Sequence, residues 1–310
     1  MTPAAFHVEA ADYAARHALL HGVRHAVFVG EQQVPAELET DELDPLSHHV
    51  VALDADGHAI GTGRLTPQRR IGRMAVLPGW RGRGVGEALL QALVAEAARR
   101  GWGEVALHAQ VQVALHAPQV HARDFYARNG FLPEGAEFEE AGIVHQTMRR
   151  RMDGAMRVQD AGQAEAAMAS VIHRARRRLL LGCDAGDAAV LGQPAALQAL
   201  RRFAAARHDK QALVLLHDGD LVALPAPLLA LVQRLPSVFQ LRQPSDPADA
   251  SLLPRGAVND NGDCYFRPMG ERTDGALALD MPAQARRQDA LFQRAWDGAA
   301  VCEGLRTLGI

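Results

Sequence analysis

Ile71-Gly-Arg-Met-Ala-Val76-Leu-Pro-Gly-Trp80-Arg-Gly-Arg-Gly84-Val-Gly86 is the stretch on which the reading of this chain turns. Ile71 to Val76 reads as a short buried strand, ended by Leu77-Pro78-Gly79. Beyond Gly86 the spacing predicts a helix with Val85, Leu89, Ala92 and Leu93 on one face. Between strand and helix lie Arg81, Gly82, Arg83 and Gly84. Glycines that open a helix let backbone N–H groups approach a ligand closely, and a helix N-terminus favours negative charge. Arg81 and Arg83 add cationic donors of the kind that bind phosphate. The segment therefore suits a pyrophosphate, although a glycine-rich turn with solvated arginines accounts for the same residues. It is neither a Walker A loop, which needs a lysine, nor a dinucleotide fingerprint, whose GxGxxG spacing Gly82, Gly84 and Gly86 do not match.

A chain of 310 residues is about two domains' worth. With 48% hydrophobic and 22% charged residues it has the composition of an ordinary soluble globular protein. A formal net charge of −3 offers no sequence-wide attraction to nucleic acid or anionic membranes, so neither is expected as a partner. Cys183, Cys264 and Cys302 stand far apart, with no CxxC or Cys/His zinc spacing; they read as core thiols in a reducing compartment, and no metal is expected. Met1 to Ala11 lacks the regions of a signal peptide, and no apolar run approaches the roughly 18 residues of a membrane span. The expected location is cytoplasmic.

Outward from the central stretch, a strand near Phe6–Glu9 precedes an Asp12-capped helix that buries Leu19, Leu20, Val23 and Val27. Strands at His49–Leu53 and His58–Thr66 flank the Asp56-Gly57 hairpin signal. After the glycine-rich helix come a strand at Val105–Gln110, a helix near Tyr126 and two last strands. Arg81-x-x-Gly84-x-Gly86 matches the [QR]xxGx[GA] pattern of the GNAT superfamily, and Asp124-Phe125-Tyr126-Ala127-Arg128-Asn129-Gly130-Phe131 is similar to its FYxxxGF segment. Arg24-His-Ala-Val-Phe28-Val-Gly-Glu31-Gln32-Gln-Val34-Pro35 resembles the opening of the ElaA-like branch. So do Glu39, Asp41 and Asp44, His49, Gly61-Thr-Gly-Arg64-Leu65, Gln110 and Gly142-Ile143-Val-His145-Gln-Thr-Met148. The matches are collinear over residues 6–151. One departure is a near-repeat, Ala106–Val113 followed by Ala114–His121, which lengthens the path from Gln110 to Tyr126.

The resemblance implies an α/β architecture with a mixed, strongly twisted sheet over residues 1–152, and an N-acetyltransferase using acetyl-CoA. The acceptor is a small-molecule or protein amine. Met74, Ala75 and Val76 would offer backbone N–H groups to the thioester carbonyl, and Arg81, Gly82, Arg83, Gly84, Val85 and Gly86 would hold the pyrophosphate. Tyr126 would protonate the departing thiolate; as residues alone, Tyr126, Phe125 and Phe131 also read as core aromatics. For the base, Glu31 stands first and His145 second, with Glu39 and His49 as rivals and a water chain as a further route.

The second half, 156–310, alternates helices and strands and reads as a second α/β domain with a mainly parallel sheet. It resembles one half of a phospholipase D-like fold in which HxKxxxxD is broken. His208-Asp209-Lys210 supplies His and Lys, but Leu215 stands where an Asp is needed. A non-catalytic role in binding or assembly follows, with a homodimer through residues beyond 155 as the expected assembly, because Ala226–Val232 and Ala290–Trp296 are long and apolar. The competing reading is a CoA-binding sensor whose second domain gives the output.

Overall fold

Asp12 starts the first helix by accepting the Ala15 N–H at 2.8 Å. That helix, α1 (Tyr13–Arg24), follows β1 (Phe6–Ala11) and runs directly into a π-helical segment, His25–Glu31. In the computed structural model the described residues are 5–111, 122–140, 142–206, 209–217, 224–245, 254–267 and 274–302. The chain divides into two units, Met1–Arg123 with Glu134–Asp153, and Asp124–Pro133 with Gly154–Ile310. Most of the near-repeat and His208 lie outside the described residues.

In the first unit β2 (His48–Asp54), β3 (Ala59–Leu65), β4 (Arg70–Val76), α2 (Val85–Arg99), β5 (Glu104–Gln110), β6 (Leu132–Glu140) and β7 (Ile143–Arg151) follow. The seven-stranded sheet has the order β1-β2-β3-β4-β5-β7-β6. It is mixed: β1 to β4 pair antiparallel, β4 and β5 parallel, β5 and β7 antiparallel. Leu20, Val23 and Val27 of the first helical stretch are buried as their spacing predicts, whereas Leu19 is half-buried. Val85, Leu89, Leu90 and Leu93 of α2 are buried against the sheet. A Cβ at Gly63 of β3 would stand 2.7 Å from the Met74 sulfur and 2.9 Å from Leu93, so glycine sets how closely this helix approaches.

Between Thr62 and Arg64 the β3–β4 register shifts, with Arg73 and Met74 of β4 opposite the single Gly63, and Arg73 lies at φ +50°. A bulge of this kind bends and over-twists its strand. Beyond it β4 leaves β5: among the described residues their ladder comprises only Arg70–Ala106 and Ile71–Leu107. The β5-side edge of Gly72–Val76 therefore faces an opening.

Buried ions hold that geometry. Arg24, on the apolar side of α1, donates to both carboxylate oxygens of Asp44 at 2.8 and 2.9 Å and pairs with Glu39. Arg64 of β3 donates to Asp44 at 2.7 Å and to Asp41 at 2.6 and 2.9 Å. Arg73, at the bulge, reaches Asp41 at 3.1 Å and the Leu38 carbonyl at 3.0 Å. Burial alone would raise the Asp44 pKa, but hydrogen bonds and charge from Arg24 and Arg64 outweigh it and hold it far below the ordinary value.

The second unit contains α3 (Ala122–Arg128) from Asp124 onward, and then β8 (Met156–Val158), α4 (Ala161–Arg174) and β9 (Arg178–Cys183). Next come α5 (Ala185–Leu191), α6 (Pro194–Ala205), β10 (Gln211–Leu216), α7 (Ala226–Arg234) and β11 (Phe239–Gln243). It ends with β12 (Arg255–Asn259), β13 (Cys264–Arg267), β14 (Gly275–Ala278), α8 (Pro282–Asp297) and β15 (Ala300–Val301). The eight-stranded order is β15-β11-β10-β9-β12-β13-β14-β8. Only β9, β10 and β11 pair in parallel; the other five pairings are antiparallel. The expectation of a mainly parallel sheet is therefore corrected to a mixed one. The Asn261-Gly262 hairpin turns β13 back on β12, and the short strands β8, β14 and β15, which carry little pattern, extend both edges. The helices behind the expected homodimer bury Leu228, Val232, Phe292 and Trp296 in their own unit, and Leu291 is left exposed. All three cysteines are free and buried.

Asp44→Ala should destabilise the first unit by about 3–5 kcal/mol, because it removes the carboxylate that two buried guanidinium groups share. Asp44 has a depressed folded-state pKa, so its contribution is present above the unfolded value of about 3.9 and is lost as pH falls through the folded pKa. Acid titration followed by hydrogen exchange should show α1 and β3 losing protection earlier in Asp44→Asn than in the parent. Equal protection in the two proteins would contradict the clamp.

Candidate active site

The opening beside β4 leads to the start of α2 through residues 77–84. Pro78–Trp80 form one 3-10 turn, Arg81 is extended at φ −68° and ψ 152°, and Gly82 and Gly84 lie at φ +72° and +88°. These left-handed conformations strain residues that carry a Cβ. A Cβ at either glycine would meet nothing within 4 Å, so the space in front of them is open. Gly84 occupies the N-cap position of α2 and supplies no capping side chain. Residues 82–84 are exposed above a buried Val85 at the start of this helix, the end that favours an anion. The open space and the uncapped helix start fit a pyrophosphate.

The two arginines of the segment are in different situations. The Arg83 guanidinium lies 5.2 Å from the centre of the exposed-side Trp80 ring. Arg81 folds back instead: Nε donates to the Val76 carbonyl at 3.0 Å, and its two terminal nitrogens donate to both oxygens of Glu31 at 2.7 and 2.5 Å. That bidentate hydrogen bond lowers the Glu31 pKa, with burial opposing it. Next to Glu31, Gln32 accepts from Gln110 Nε2 at 3.2 Å. Consecutive residues therefore reach the two lips of the opening, Glu31 toward the end of β4 and Gln32 toward the end of β5. The π-helix sets this up, since the Gln32 N–H bonds five residues back to the Val27 carbonyl.

His145 stands directly across from Gln110 in the β5–β7 ladder, hence on the same sheet face. Its Nδ1 is 2.8 Å from the Ile143 carbonyl. A carbonyl only accepts, so Nδ1 carries the hydrogen and the neutral ring keeps its lone pair on Nε2. The ring stacks on Phe138, which also meets His108, and His108 bonds Glu140 at 2.9 Å. The other two candidates for a base are held elsewhere. Glu39 is buried against Arg24 and His21, and His49 is buried with Nε2 2.8 Å from the Asp44 carbonyl, its pKa lowered by burial. Both belong to the ionic clamp. A charged residue, Arg24, set in the Leu20–Val23–Val27 stripe was the signal in the sequence that could have revealed it.

Tyr126 lies on α3, within the second unit. Its ring makes edge contacts with Phe125 at 5.0 Å and Phe131 at 6.0 Å, and burial pushes its pKa up to about 12. Lys210, the basic member of the broken HxK, bonds the Arg176 carbonyl and lies over the Phe203 ring.

Both halves of the chain match known families. Residues 9–152 match the family described as "Acetyltransferase (GNAT) domain", and residues 159–308 match "Domain of unknown function (DUF7931)". An "Uncharacterized N-acetyltransferase YjcF" of Bacillus subtilis is 38% identical over 132 residues, covering 41% of this chain and 87% of the relative. Among solved structures, an acyl-CoA N-acyltransferase from Pseudomonas aeruginosa shares 30% identity at TM-score 0.40, covering 47% of this chain and 99% of its own. Escherichia coli ElaA shares 24% at TM-score 0.41, covering 47% and 100%. Through its first half the chain belongs to the GNAT acetyltransferase family. It is an acyltransferase that uses an acyl-CoA and an amine acceptor. The second half carries no assigned activity, and the matches do not extend its likeness to phospholipase D. No helix among the described residues is long and apolar enough to cross a membrane.

Gly84→Val places a β-branched side chain at a left-handed position and in the open space before α2. CoA affinity measured by calorimetry should fall by at least about tenfold, or 1.4 kcal/mol, in protein whose circular dichroism is unchanged. Parent-like affinity in a folded variant would remove the cradle assignment.

Proposed function

We propose that the acetyltransferase domain, residues 9–152, transfers the acetyl group of acetyl-CoA directly to an amine of a small molecule or a protein. The observation that carries this reading is the juxtaposition of the β4 opening with the open start of α2 at Gly82 and Gly84. Backbone N–H groups within Met74–Val76 are the donors assigned to the thioester oxygen, and the start of α2, with Arg83, is assigned to the pyrophosphate. Arg81 and Glu31 take a positioning role. A carboxylate held low by a guanidinium is a poor acceptor for an ammonium proton, so the pairing favours Glu31 as the clamp on Arg81 over Glu31 as the base.

His145 Nε2 is then the side chain proposed to take the amine proton, since its tautomer leaves that nitrogen free to accept. The amine nitrogen attacks the thioester carbon, the C–N bond forms and the C–S bond breaks. The proton lost by nitrogen goes to His145, and the thiolate receives one from Tyr126. A phenol whose pKa is pushed up to about 12 keeps its proton across the neutral range, as a donor must.

Acetyl-CoA incubated with a panel of amines should release free CoA and yield an acetylated amine. Tyr126→Phe should lower kcat by about 10²–10⁴-fold with little change in CoA affinity, and His145→Ala should lower kcat by a factor in the same range. Tight acetyl-CoA binding without turnover on any amine would count against the reading, and unchanged kcat in Tyr126→Phe would return that ring to a packing role.

A further inference from the structure

Outside the cradle, one face of the first helical stretch carries His17, His21 and His25, each four residues from the next. Residues four apart on a helix are neighbours. The rings of His17 and His21 lie 5.5 Å apart at 13°, and those of His21 and His25 lie 5.8 Å apart at 57°. His17 and His25 are exposed and His21 is half-buried. The inner end of His21 is anchored: Nδ1 lies 2.8 Å from Oε2 of Glu39, a carboxylate that is buried and already paired with Arg24. Nε2, at the other ring position, is left away from this contact. A carboxylate close to one imidazole nitrogen is the kind of neighbour that orients metal-binding histidines.

We propose that His17 and His21, with His25 as a neighbouring third imidazole, bind a divalent transition-metal ion of the zinc, copper or nickel kind. Imidazole nitrogens suit these ions. Two imidazoles at the usual metal–nitrogen distance of about 2.0–2.1 Å have their ring centres about 5 Å apart. The observed 5.5 Å thus requires only rotation of the exposed His17 ring, about a torsion that is soft. An ion bound there would tie two turns of α1 to Glu39 and so to the ionic clamp. Asp54, Asp56 and His58 in the β2–β3 turn are the described residues whose ligand atoms already lie within 4.8 Å of one another, but the Asp54 carboxylate there accepts the N–H groups of Asp56 and His58. This turn serves as the control.

The test uses tag-free full-length protein, stripped with chelator and titrated with zinc chloride by calorimetry and thermal unfolding. The expected result is one saturable site and a raised Tm. His17→Ala and His21→Ala should each weaken binding by about tenfold or more, while His58→Ala leaves it unchanged. His17→Ala, at an exposed position remote from the cradle residues in sequence, should leave acetyl-CoA affinity as it was. If His21→Ala fails to fold, His17→Ala alone decides. Absence of saturable binding, binding that persists in His17→Ala, or binding that disappears in His58→Ala would overturn the assignment.

Discussion

The first unit depends on two carboxylates, Asp41 and Asp44, that gather arginines from three separate elements. Arg24 arrives from α1, Arg64 from β3 and Arg73 from the bulge of β4. Buried ion pairs of this kind seldom add much stability over apolar packing, because desolvation offsets most of the attraction. What they supply is geometry, since breaking any one pair leaves an uncompensated charge. Here that geometry seats residues 36–46 on the sheet and holds the bulge beyond which β4 leaves β5. The opening proposed for the thioester is thus tied to a charge network some residues removed from it.

A second link ties helix to cradle. The π-helix brings Glu31 to Arg81, and Arg81 in turn holds the Val76 carbonyl at the end of β4. The residue that reads from sequence as a phosphate ligand therefore acts, in this conformation, as a staple between the strand end and the first helical stretch. The backbone of Gly82 and Gly84 and the start of α2 are left with open space in front of them, where the pyrophosphate is proposed to lie. Neighbouring Gln32 bonds the other lip of the opening, so a single local change in helix pitch sets both contacts.

The second unit carries buried polar networks of its own. Asp263 is buried and held by Arg174 and Asn259, and Asp187, whose pKa burial raises to about 6, receives Arg267 at 2.7 Å. These contacts join α4 and α5 to the antiparallel half of the sheet. They are the kind of network that fixes one arrangement of strands where hydrophobic pattern leaves several open.

Features that depend on neighbours along the chain were legible in the sequence. The Asp12 cap, the Asp56-Gly57 turn and the glycine spacing before α2 rest on local dihedral preferences and on periodicity. So does the cradle, whose function needs backbone in a particular conformation more than side chains from elsewhere. Tertiary structure alone decided which charges meet. Glu31 lies fifty residues from Arg81, and Asp44 lies twenty from both Arg24 and Arg64. An arginine inside an apolar stripe looks like a pattern defect until its carboxylate arrives from a distant loop. The π-helix escaped for a related reason, since five-residue bonding has no signature in a 3.6-residue period. The mixed second sheet escaped because strands of two to four residues are too short to show alternation; they form only once a partner strand offers its edge.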